Sequence, residues 1–276
     1  MKKGRGSGPL FRCICVSTKC LLGARFRNRL GIAMHHSSTL LAAFATSLAC
    51  MEVAHATALR VEPVLLELNA PAAAASLTLR NDEDAHVEVQ TRVLRWSQSD
   101  GKESLEPTTD VVASPPAVRM APHSDYVVRV VRVSKQPVNG EESYRVIVDQ
   151  LPRAGGGQGR SVNLLVRQSI PAFFRGREIS RPQVSWALRT EAGQLTVVTS
   201  NAGDERLRIA NLRLKDSSGA TLSFGNGLLG YVLGHSSMSW ATLKYPRGFG
   251  SGGSISVTAD TDKGQTHAVI ESQTRR

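Results

Sequence analysis

From residue 59 onward the sequence repeats one unit, a short apolar run of alternating or β-branched residues followed by a cluster of turn formers. Such runs occupy 59–68, 75–80, 86–96, 126–133, 144–151 and 162–174. Between them stand Asn81-Asp82-Glu83-Asp84, Ser99-Asp100-Gly101-Lys102, Ser114-Pro115-Pro116 and Val138-Asn139-Gly140. After a proline-containing link near 175–182 a second set follows, at 184–189, 194–199, 207–215, 230–233, 238–243 and 253–259. No stretch sustains an apolar stripe at the 3.6-residue period of a helix. Short strands with turns at this spacing predict all-β architecture, with two immunoglobulin-like sandwiches in tandem. The expected domains are 57–175 and 176–276, behind a leader over 1–56.

The leader reads as an address. Residues 38–51 form an apolar run of the length of a signal-peptide core and too short to span a bilayer. Ala54-His55-Ala56 offers the small residues that signal peptidase requires, so cleavage is expected after Ala56, with Ala58 as a second site and Met1 or Met34 as the start. The leader also carries much of the charge. The whole chain has a net charge of +11, but removing 1–56 leaves 26 basic against 22 acidic residues, a net of +4. Mild basicity of that size marks no nucleic-acid partner. All four cysteines (Cys13, Cys15, Cys20 and Cys50) fall in the leader, so the exported chain is held by core burial and not by disulfides. Cys50 does not fit a lipid-attachment site, because Leu48 stands one place too late.

Signs of catalysis or of a cofactor are missing from the sequence. The glycine-rich segment 155–160 lacks the Lys-Ser/Thr ending of a phosphate-binding loop and reads as a hairpin loop. No nucleophile elbow occurs, and Gly234-His235-Ser236-Ser237 is a polar turn. His86, His123, His235 and His267 are scattered singly, without the spacing of metal ligands. The expectation is a non-enzyme without metal or cofactor.

One strand stands out. Over 161–173, Val162, Leu164, Val166, Ile170 and Ala172 share one face, while Asn163, Leu165, Arg167 and Ser169 share the other. Thirteen residues exceed the usual five or six of a strand, and the glycine-rich loop before it would free its first half. An exposed apolar strand is an aggregation hazard unless something pairs with it; the plain alternative is an ordinary core strand.

Several segments in order are similar to the PapD-like periplasmic pilus chaperones. They are 59–68, Ser76-Leu77-Thr78-Leu79-Arg80-Asn81, Gln90 to Gln98 with Asp100-Gly101 after it, and Ser114-Pro115-Pro116. Val127 to Arg132, Glu142-Ser143-Tyr144-Arg145, Leu151-Pro152 and Ser169-Ile170-Pro171-Ala172-Phe173-Phe174 complete the series. Trp96-Ser97-Gln98 and the Ser-Ile-Pro-Ala-Phe ending resemble the archaic branch in particular. The resemblance implies a partner, a pilin subunit lacking its last strand, whose groove the chaperone fills by strand addition. It places Val162, Leu164 and Val166 as the inserted side chains. It also implies delivery to an outer-membrane usher, a periplasmic location, and self-association of the free protein as a possibility. In the better-known branch an arginine and a lysine hold the subunit's terminal carboxylate; the matching positions here are Val64 and Pro171, so both charges are missing. Arg129 is the expected replacement with Arg167 as its helper, against a structural ion pair for Arg129 and a solvated strand face for Arg167. The rival function is a secreted or surface β-sandwich adhesin, which shares the export signal but needs no apolar strand after a flexible loop.

Overall fold

The computed structural model describes residues 59–152, 165–191, 193–250 and 253–271. Alternation of apolar and polar residues is what forms the strands: on Val87–Ser99, Val87, Val89, Thr91 and Val93 are buried while Glu88, Gln90 and Arg92 are exposed. In chain order the first ten strands are β1 (Leu59–Glu62), β2 (Leu66–Asn69), β3 (Ala74–Asn81), β4 (Val87–Ser99), β5 (Lys102–Pro107), β6 (Val111–Ser114), β7 (Ala117–Met120), β8 (Ser124–Arg132), β9 (Glu141–Gln150) and β10 (Arg167–Arg175). Eight more follow: β11 (Val184–Glu191), β12 (Gln194–Asn201), β13 (Leu207–Asp216), β14 (Thr221–Ser223), β15 (Leu228–Val232), β16 (Ser236–Thr242), β17 (Ser254–Thr261) and β18 (Gly264–Glu271). The described residues contain no helix.

These strands build two β-sandwiches, as the sequence predicts. The first pairs a β1-β3-β8-β6 sheet with a β2-β10-β9-β4-β5 sheet, on which β7 also joins β4. Pro63 lacks an N–H and ends the pairing of β1, after which β2 joins the other sheet, parallel to β10. Leu77, Leu79, Val128 and Val130 from one sheet meet Val89, Val146, Val148, Ile170, Ala172 and Phe174 from the other. Apart from Ala172, each such side chain contributes roughly 1.5–3 kcal/mol when fully buried. Tyr144 enters the same core, and its hydroxyl donates to Glu142 Oε2 at 3.0 Å and accepts from Arg95 Nη2 at 3.1 Å. The polar tip is thereby satisfied.

The second sandwich pairs a β11-β12-β16 sheet with a β14-β13-β17-β18 sheet carrying β15. Its core gathers Leu195, Val197, Ile209, Leu212, Leu214, Val232, Ile255 and Val257. The register of β13 against β17 shifts between Ala210 and Arg213, where Asn211 takes φ of 50°. Asparagine tolerates this left-handed conformation, and its amide bridges Asp260 Oδ2 at 2.7 Å and the Gly227 N–H at 2.6 Å, which fixes the bulge.

A third apolar cluster joins the sandwiches: Trp96 and Phe173 from the first, Tyr231 and Leu233 from the second, with Leu65 against them. Trp96 meets Tyr231 edge-on at 5.6 Å and Phe173 at 5.8 Å, the separations at which aromatic pairs attract. Buried Gln98 donates to the Tyr231 carbonyl at 2.9 Å and accepts from the Leu233 N–H at 2.9 Å. The β4–β5 hairpin turns through Asp100-Gly101, both at positive φ, the chemistry of a tight two-residue turn. Its Gly101 carbonyl accepts from Ser239 N at 3.2 Å and Ser239 Oγ at 3.0 Å on β16.

Candidate functional site

On β9 the even-numbered Tyr144, Val146 and Val148 enter the first core, so Ser143, Arg145, Ile147 and Asp149 face the other way. The ladder extends this outer face across four strands. Arg145 stands across from Pro171 on β10 and from Leu94 on β4, Phe173 across from Ser143, and Arg167 across from Asp149. Further along, Trp96 lies across from Leu105 on β5 and Gln98 across from Glu103. One end of the face is covered by Tyr231 and Leu233 of the second sandwich. The other end is open.

Arg145 sits at the transition. Its guanidinium lies 3.7 Å over the Trp96 ring and 6.0 Å from that of Tyr231, and its side chain is only 16% exposed. Among the described residues a single carboxylate approaches it, Glu103 Oε1, at 3.9 Å from Nη2, too far for a hydrogen bond. Burial holds Arg145 below the ordinary guanidinium pKa, against the weaker pull of Glu103. An arginine stays charged at neutral pH regardless. A cation in this position is stacked, has lost most of its water and, among the described residues, is short of hydrogen-bond acceptors. Beside it the Trp96 indole Nε1 is buried with no partner among the described residues.

A second stacked arginine provides the contrast. Arg206, 2% exposed, lies 3.4 Å over the Phe173 ring. It pairs with Glu141 Oε2 at 2.5 Å and also with Glu67. Arg175 adds contacts to Glu141 at 2.7 Å and Glu205 at 3.0 Å, and Lys263 closes the group on Glu205 at 2.7 Å. Arg206 is therefore neutralised twice over and fastens the sandwiches together. Arg145, on the outer face that carries Phe173, has no carboxylate within hydrogen-bonding distance among the described residues.

Of the residues singled out from the sequence, Val162 and Leu164 lie outside the described residues. Val166 is half-buried just before β10, and its carbonyl accepts from Gln150 N at 3.0 Å. Arg167 is 67% exposed and ion-pairs with Asp149, which also holds Arg92 at 2.6 Å. Burial pushes the Asp149 carboxyl up, but the hydrogen bonds from Arg167 and Arg92 outweigh it and hold the group below the usual carboxylate range. Arg129 is exposed on β8, in the other sheet of the first sandwich, between the buried Val128 and Val130. Among the described residues it has no ion pair, so the structural pairing weighed for it is not seen there. Arg129 and Arg167 are thus not brought together, and Arg145 is the functional candidate that reading the sequence left without a role. Its strand signalled that Arg145 faces away from the core, but nothing local signalled that this part of the face is covered. Pro171 lies where the resemblance calls for a lysine, and Arg145 is its register partner.

Comparison with known proteins bears on the fold. Residues 58–180 match the family model described as "Pili and flagellar-assembly chaperone, PapD N-terminal domain". No curated protein matches the sequence significantly. Among solved structures the chain is similar to one from the CsuC–CsuE chaperone–tip adhesion subunit pre-assembly complex of the archaic chaperone-usher Csu pili of Acinetobacter baumannii. The TM-score is 0.60 at 24% identity, covering 78% of this chain and 97% of that one. It is also similar to a chain from the Salmonella enterica SafA pilin in complex with the SafB chaperone, with TM-score 0.53, 18% identity and coverage of 78% and 98%. A third similarity is to the YadV chaperone, with TM-score 0.52, 13% identity and coverage of 77% and 99%.

Proposed function

We propose that this chain, PapD-like over residues 58–180 and sharing the two-sandwich fold of pilus chaperones over its described residues, is a periplasmic chaperone for the subunits of a surface fibre. It captures a subunit by lending it a strand whose apolar side chains are Val162, Leu164 and Val166. It fixes the subunit's terminal carboxylate at Arg145 and passes the subunit to an outer-membrane usher. Two of the similar structures are named as complexes of a chaperone with its pilus subunit, which supports a partner of that class.

The observation that carries the reading is the unmet demand of Arg145. A part-buried cation is stable when hydrogen-bonded and paired, and among the described residues this one has only Glu103 at 3.9 Å. It lies across the ladder from Pro171, on the strand that continues from Val166. A chain end arriving along that strand brings a carboxylate to the guanidinium edge, where two parallel N–H···O bonds can form. Arg129, on the opposite sheet, and Arg167, already held by Asp149, are the weaker anchors.

The test is co-purification of the tagged protein from periplasmic extract with its neighbouring genes co-expressed. Recovery of a small β-rich subunit at about one to one supports the reading. Leu164→Asp, which puts a charge into the subunit's groove, is expected to abolish recovery while the protein still folds. Arg145→Ala is expected to weaken capture by about 2–5 kcal/mol, the usual effect of truncating one partner of a buried charge pair. Arg129→Ala is expected to leave it nearly unchanged. Capture of the subunit by Leu164→Asp at the wild-type level refutes the strand assignment.

A further inference from the structure

The edge strand β5 carries a group that bears on the same cation. All six residues of Lys102–Pro107 are exposed, and Glu103 alone among their carboxylates comes within 4.0 Å of Arg145. The ladder fixes this approach. Glu103 pairs with Gln98, and Gln98 is tied to Tyr231, Leu233 and, through its Oε1, to Ser236 Oγ at 3.2 Å. The backbone of Glu103 is therefore anchored beside the cleft, whereas its side chain, 37% exposed, can turn to water. A carboxylate at 3.9 Å attracts the guanidinium without occupying its hydrogen-bonding edge.

We propose that Glu103 is a specificity-determining residue: it is the resident counter-ion of Arg145 in the free protein and is exchanged for the carboxylate of the incoming chain end. This rests on the reading of Arg145 as the carboxylate anchor. The exchange explains how a stacked, dehydrated cation is tolerated before the subunit arrives. It also makes the cleft selective. A neutral group gains too little to displace Glu103, whereas a carboxylate replaces one long ionic contact with a hydrogen-bonded pair. Glu103 thereby sets the threshold that a ligand must exceed, and a free carboxylate exceeds it by forming the hydrogen bonds that Glu103 at 3.9 Å does not.

The test uses N-acetylvaline as the carboxylate probe and N-acetylvalinamide as its neutral counterpart, titrated into the full exported protein. Binding is followed by the NMR signals of the Trp96 indole and the Arg145 guanidinium. The wild type is expected to bind the acid weakly and the amide not at all. Glu103→Gln is expected to bind the acid about tenfold tighter, the scale set by removing one partly screened charge at this distance, and to leave the amide unbound. Arg145→Ala, with an unchanged melting temperature, is expected to bind neither. If Glu103→Gln binds the acid with wild-type affinity while Arg145→Ala loses it, Glu103 is no counter-ion and the anchor stands. If Arg145→Ala binds the acid as the wild type does, or Glu103→Gln fails to bind it, the anchor itself falls.

Discussion

Gly101→Ala tests how the two sandwiches are held at their angle. Gly101 has φ of 75°, a conformation that costs an L-residue about 1–2 kcal/mol. A Cβ at this position would lie 2.4 Å from Ser239 Oγ and 2.9 Å from Ser239 Cβ. The hairpin must then lift, and both hydrogen bonds from Ser239 to the Gly101 carbonyl weaken. At about 0.5–1.5 kcal/mol each, their loss brings the whole effect to about 2–5 kcal/mol. The strain belongs to residue 101 alone, whereas the clash needs Ser239, so the two can be separated in a double-mutant cycle. In a Ser239→Gly background the Gly101→Ala effect is expected to shrink to the strain of about 1–2 kcal/mol. Urea unfolding, followed by tryptophan fluorescence and by far-UV circular dichroism together, measures all four proteins. Coincidence of the two probes establishes that the sandwiches unfold together. An equal effect of Gly101→Ala in both backgrounds would refute the docking of this hairpin on β16.

Further expectations concern the charged groups. Arg206→Met is expected to destabilise the protein by about 3–5 kcal/mol in chemical denaturation, because Glu141, 1% exposed, loses one of its two cations in a buried network. Asp149→Asn is expected to lower stability at neutral pH, with the deficit vanishing in acid. The folded carboxyl titrates below its unfolded value near 4. Its contribution is therefore complete above that value and disappears as pH falls through the folded pKa. Melting temperatures of wild type and variant should converge as pH falls from about 4 into acid, and a constant gap from pH 7 to pH 2 would contradict the pairing.

The sandwiches were legible in the sequence wherever a strand has one dry and one wet face. The apolar alternation of 86–96 becomes β4 and that of 144–151 becomes β9, because burial on one side imposes a period of two. Lys102–Pro107 escaped notice since all of it is exposed and no alternation is demanded. Gly264–Glu271 escaped for a related reason, its sequence Gly-Gln-Thr-His-Ala-Val-Ile-Glu holding little apolar signal before Ile270. The candidate site was legible only in part. That Arg129 and Arg145 both point away from a core follows from their buried neighbours in sequence. Which of them is then covered depends on Trp96 and Tyr231, residues remote in the chain that meet only when the sandwiches dock. Strand pattern reports which face a residue takes and is silent about what is packed on that face.

The two stacked arginines show why that silence matters for function. Both lie over aromatic rings at the junction, and both have lost most of their water. A structural role is complete when every charge is answered, and Arg206 is answered by Glu67 and Glu141. A charge in the same setting that meets only Glu103 at 3.9 Å is answered in part. Its retention is accounted for when a second molecule supplies the missing partner. The stacking on Trp96 fixes the guanidinium plane, so that its free edge is oriented before any ligand arrives and little ordering is left to be done on binding. Position, orientation and deficit of charge meet at Arg145 beside the strand that ends at Arg175. A solvated arginine such as Arg129 has the charge but neither of the other two.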